Sequence, residues 1–142
     1  MEELFLEFEK KQEEFHEVIE KHPLLIDDLN KIFDEDIEEI GKLLDKDDEY
    51  YLKKAIKNLT YLIEDVKEIS TKTKKAFKRY EELTKIWGSI EINDKITEKT
   101  LNKLNDNVAM ANELITGTNL KSAEEAVIIF EKTIKELKEY VK

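Results

Sequence analysis

The chain has no cysteine, which removes disulfides, thiol nucleophiles and thiolate metal sites together and gives no sign of an oxidising compartment. Three glycines and one proline among 142 residues leave few of the turns that hairpins and sandwiches need. The class therefore reads as all-α. Only two histidines are present, His16 and His22, and no Gly-rich phosphate loop, Gly-x-Ser-x-Gly elbow or Cys/His pair occurs. The longest apolar run, Ala126-Val127-Ile128-Ile129-Phe130, is far short of the roughly 20 residues that span a bilayer. Met1 to Glu7 lacks the basic flank and apolar stretch of a secretion signal, so a cytoplasmic location is the expectation. A single arginine, Arg79, stands against 23 lysines, and without the bidentate guanidinium fork specific nucleic-acid readout is not expected.

What the chain does have is a heptad register from Leu52 to Trp87, through Ala55, Leu59, Leu62, Val66, Ile69, Thr73, Ala76, Tyr80 and Leu83. Alternating steps of three and four residues hold these side chains on one side of a helix roughly 54 Å long at about 1.5 Å per residue. Ile56, Ile63 and Phe77 flank the seam and widen it, which suits a multi-helix core better than a two-stranded coil. The weakest step is Ser70-Thr71-Lys72-Thr73-Lys74, rich in cap-prone and β-branched residues. A continuous helix gives an elongated pair of bundles sharing one spine, and a bend near Thr73 gives one compact bundle.

The remaining apolar stripes predict helices over about 2–21, 24–45, 98–116 and 122–140 beside the long one at about 48–87. Pro23 ends the first. The second has an ambiguous step at Asp34-Glu35-Asp36, where Asp36 and Glu39 have the form of a capping box. Asp45 to Glu49 caps the long helix, Gly88 reads as its left-handed stop, Thr97 caps the next helix, Gly117 stops it, and Ser122-Ala123-Glu124-Glu125 opens the last. Residues 89–96 form a connector. The expected architecture is an antiparallel bundle of four to five helices around one long central helix, in a single domain of 142 residues.

Charge is unevenly distributed. Residues 1–49 hold 19 acids and 6 bases, a net −13, while residues 50–103 hold 8 acids and 13 bases, a net +5. Between Glu68 and Glu81 no acid interrupts Lys72, Lys74, Lys75, Lys78 and Arg79. Lys72 and Arg79 lie at the edge of the seam, where the expected partners are carboxylates of the first two helices.

Chemistry-bearing patterns are sparse. Glu13-x-x-His16 has the spacing of a di-iron ligand pair, but such sites need two copies and further inward carboxylates, and Phe8, Phe15 and Ile19 place this pair on the outer face. The acidic clusters lack the glycine and terminal Glu of an EF-hand loop and read as caps and solvated faces. No catalytic residue, cofactor or metal site is therefore assigned, and an enzyme is not expected. Ile128 and Ile129 adjoin Val127 and Phe130, making that helix apolar around most of its circumference, so it is buried on two sides or faces a partner. Trp87, Ile90 and Ile92 form a second such group.

The expected function is a non-enzymatic protein–protein interaction module: an adaptor, a scaffold or a chaperone-like bundle. Its partner is another protein, with homo-oligomerisation open, and neither nucleic acid nor membrane insertion is expected. The alternative is an acidic antagonist of a basic target, of immunity or DNA-mimic type, using the charge of residues 1–49. A metal- or ligand-binding bundle comes third.

Overall fold

The computed structural model describes residues 1–141 and is all-α, as the composition predicts. Its helices are α1 (Glu2–Lys21), α2 (Ile26–Lys31), α3 (Glu38–Leu44), α4 (Glu49–Ser89), α5 (Glu98–Ile115) and α6 (Leu120–Tyr140), and a π-helical segment (Ile32–Ile37) joins α2 to α3. There is no strand among the described residues. The chain divides into two compact units, Met1–Thr71 and Lys72–Lys142. α4 is helical through Thr73, so the weak step does not break it.

In the first unit, α1, the helical stretch 26–44 and the opening part of α4 share a core of Phe8, Phe15, Val18, Ile32, Ile40 and the α4 seam from Leu52 to Val66. The ring of Phe15 meets Phe33 edge-on at 6.0 Å. The predicted helix over 24–45 neither breaks at Asp34-Asp36 nor stays a plain α-helix. Its apolar stripe steps from Ile32 to Ile37, five residues, with Glu35 and Asp36 at the three- and four-residue positions. An α-turn would point an acid at the core, whereas the wider i→i+5 turn keeps both isoleucines on the inner face. The stretch also starts later than predicted: Leu25, in extended geometry, is the N-cap residue, and Pro23 lies outside any helix.

α4 begins where the acidic cluster predicts. Asp47 takes a left-handed φ of 47° to turn the chain, and Asp48 Oδ1 accepts a hydrogen bond from the Tyr50 N–H at 2.7 Å.

In the second unit, α4 from Lys72, α5 and α6 enclose Leu83, Ala111, Ala126, Phe130 and Ile134. Tyr80 and Trp87 meet the Phe130 ring edge-on at 5.2 and 6.1 Å, and the Tyr80 hydroxyl donates to Asn112 Oδ1 on α5. Thr97 caps α5 as predicted, its Oγ1 accepting from the Thr100 N–H at 3.1 Å.

Two terminal signals differ from their sequence reading. Gly88 is not a left-handed stop, because no glycine has positive φ and the helix runs to Ser89, whose hydroxyl donates to the Ile86 carbonyl at 2.7 Å. Asn119 rather than Ser122 caps α6, its Oδ1 accepting from the Ser122 N–H at 2.9 Å. Gly117 does sit just past α5, but close packing rather than backbone angle requires it. A Cβ there would fall 2.7 Å from Ser122 Cβ and 2.9 Å from the Leu114 carbonyl oxygen.

Candidate interaction surface

Two surface features merit description, one in each unit. In the first unit, Asp36, Glu39 and Ile40 face Asn58, Tyr61, Leu62 and Asp65 across an open recess. Residue 36 lies opposite 65 and 40 opposite 61, so this stretch runs antiparallel to α4. Partial burial pushes the Asp36 carboxyl above its ordinary value of 3.8, and Glu35, Asp65 and Glu39 add to the rise while Lys31 opposes it. The recess is a site of carboxylate repulsion. No cluster of His, Asp or Glu among the described residues is arranged to hold a metal ion, and Glu13 and His16 are both exposed on α1.

In the second unit, α4 and α6 form a groove. Its first part, about 570 Å³, lies between residues 72–82 of α4 and 124–131 of α6, floored by Ala76, Val127 and Ile128. Its second part, about 410 Å³, lies between 79–86 and 131–138, floored by Leu83, Ile86 and Ile134. Arg79 and Glu131 line both parts, and their ion pair crosses the groove between the two. As α4 advances α6 advances with it, which makes the two helices parallel neighbours. About 14 residues of each wall give a groove roughly 21 Å long at 1.5 Å per residue.

The walls carry a definite charge pattern. On α4 they are Lys72, Lys75, Lys78, Arg79 and Glu82, and on α6 Glu124, Glu131, Lys132, Lys135 and Lys138. Seven bases and three acids leave a net +4. Two of the acids are engaged by Arg79, whose Nε donates to Glu131 at 3.0 Å and whose Nη1 donates to Glu82 at 3.2 Å. The sequence reading expected Arg79 to meet carboxylates of the first two helices. The actual partners are Glu82, three residues further along α4, and Glu131 of α6, because α6 lies alongside and presents Glu131 at the matching level. Lys75, Lys78, Lys132 and Lys135 take part in no ion pair among the described residues.

The five residues singled out from the sequence as candidate partner contacts separate. Ile128 is 51% exposed and Ile92 is 53% exposed. Ile129, Trp87 and Ile90 are half-buried against the Phe130 core. Ile128 alone among the five lines the groove. The sequence reading missed Lys132, Lys135 and Lys138, although their three-residue spacing on α6 was a readable sign of one basic face.

Comparison with protein-family models, with curated proteins and with solved structures gives no match in any of the three. The fold and the groove define a helical-bundle protein with one long shared helix and a basic, apolar-floored surface channel. No helix of the described residues is long and apolar enough to cross a membrane.

Proposed function

We propose that the protein is a non-enzymatic interaction module that binds another protein through the α4/α6 groove. The observation that carries this reading is Ile128, a large aliphatic side chain half exposed at the floor of a groove whose other floor residues are also apolar. Scattered single exposed hydrophobes are ordinary, but here half-buried Val127 and Ile86 continue the apolar lining above buried Ala76, Leu83 and Ile134. Two parallel helices with an unfilled seam offer the seat into which an added helix packs.

The test is co-purification from the native host with the wild-type chain and with Ile128→Asp. The variant is expected to keep the wild-type melting temperature and lose a partner that the wild type retains. Retention of every partner by a folded Ile128→Asp chain contradicts the reading. An antagonist acting through the acidic first unit, with 22 acids and 10 bases in residues 1–71, would depend on those carboxylates and not on Ile128.

A further inference from the structure

Resting on that reading, we infer that the groove of the second unit takes an acidic amphipathic helix from a partner protein. Length comes first. A groove roughly 21 Å long accommodates about four helical turns, whose residues at i, i+3, i+4 and i+7 would cover the strip from Val127 and Ile128 to Ile86 and Ile134. An extended strand laid there would set unpaired backbone N–H and C=O groups on an apolar floor, whereas a helix satisfies its own.

Charge decides the rest. The rim is +4 on a chain whose net charge is −10, so this face opposes the sign of the molecule as a whole. Glu82 and Glu131 are held by Arg79, which leaves Glu124 as the one other acid among the lysines of the walls. Lys75 and Lys78 line the α4 wall of the first part and Lys132 and Lys135 the α6 wall of the second, so an incoming helix meets ammonium groups on its α4 side over one half and on its α6 side over the other. A nucleic-acid backbone would satisfy the lysines but leave exposed Ile128 and half-buried Val127 and Ile86 uncovered. A helix with an apolar stripe between two acidic flanks satisfies both.

The experiment is selection of displayed helical peptides of about 14 residues, a length that fills the groove, against the full-length chain. Flank positions are randomised among Glu, Gln and Lys, inner positions among Leu, Ile, Phe and Ala, and binders are counter-selected on Ile128→Asp. Glu is expected to dominate the α4-side flank over the half that lies in the first part and the α6-side flank over the half that lies in the second. Affinity should fall about tenfold or more on Ile128→Asp, as expected for loss of a central apolar anchor, and should also fall on the double variant Lys132→Glu/Lys135→Glu, whose exposed positions leave folding intact. Binding should weaken as salt rises. Binders that need Ile128 but carry Lys or Gln on their flanks overturn the acidic-helix inference and leave the docking reading standing. Ile128-dependent self-association in sedimentation overturns the acidic-helix inference alone, and Ile128-dependent capture of duplex DNA overturns the docking reading as well. Absence of any Ile128-dependent binder to the folded chain overturns both.

Discussion

Arg79 Nε donates to Glu131 Oε1 at 3.0 Å, joining residues 52 apart in the chain and fixing α6 beside α4 at the middle of the groove. The same guanidinium reaches Glu82, three residues on, so one arginine closes a three-membered charge cluster. Lysine, a point charge, cannot hold both carboxylates with the same planar geometry. Arg79→Lys and Arg79→Met are each expected to lower the melting temperature slightly, with the loss shrinking as salt is raised, because the cluster is solvent-accessible. The coupling between Arg79 and Glu131 in a double-mutant cycle at low and high salt checks this.

Asp36 supplies the pH dependence of the first unit. Its carboxyl is raised in the folded state by burial first and by Glu35, Asp65 and Glu39 after it, with Lys31 opposing. The folded chain therefore holds the proton more tightly than the unfolded chain. The contribution is fully present below the ordinary value of 3.8 and is lost as pH rises through the raised folded value. Asp36→Asn is expected to be more stable than wild type at neutral pH, and the difference should vanish as pH falls below 3.8. Urea denaturation of both chains from acid to neutral pH measures it.

Ser70 is wholly buried, and its hydroxyl has no hydrogen-bond partner. An unsatisfied buried hydroxyl costs about 1–3 kcal/mol, and alanine is also the better helix former. Ser70→Ala is thus expected to stabilise the chain by about 1 kcal/mol, read as a higher denaturation midpoint with unchanged slope.

Gly117 is predicted to resist substitution for a reason unrelated to backbone freedom. The added methyl of Gly117→Ala meets Ser122 Cβ and a backbone carbonyl that cannot swing away. A loss of about 1–3 kcal/mol is expected from overpacking. Gly88→Ala is the contrast, since a Cβ there meets nothing within 4 Å and the position is helical, so it should stabilise by a few tenths to about 1 kcal/mol.

The long helix was legible because its signal is redundant: eleven seam positions from Leu52 to Trp87 agree in phase, and one doubtful stretch at Ser70–Lys74 does not outweigh them. The π-helical turn was legible only in retrospect. It rests on a single five-residue step from Ile32 to Ile37, which the nearby capping-box pattern of Asp36 and Glu39 obscured. Which apolar side chains of α6 face outward was readable only in part. Phe130 keeps step with Ala123, Ile134 and Leu137 while Ile128 and Ile129 fall off that stripe, and only the positions of α4 and α5 decide that Ile128 is exposed and Ile129 half-buried. The same holds for the partner of Arg79, since a sequence gives the sum of charges but not which helix lies alongside.

The most direct measurement is site-specific photocrosslinking from position 128 in cells of the native host. A photoreactive residue replacing Ile128 is expected to give a discrete adduct with one other protein, with the crosslink mapping to an acidic amphipathic helix of that protein, while the same residue at exposed Tyr61 in the first unit gives none. A folded chain that yields no adduct from position 128, or the same adducts from both positions, would contradict the assignment of the α4/α6 groove as the docking surface.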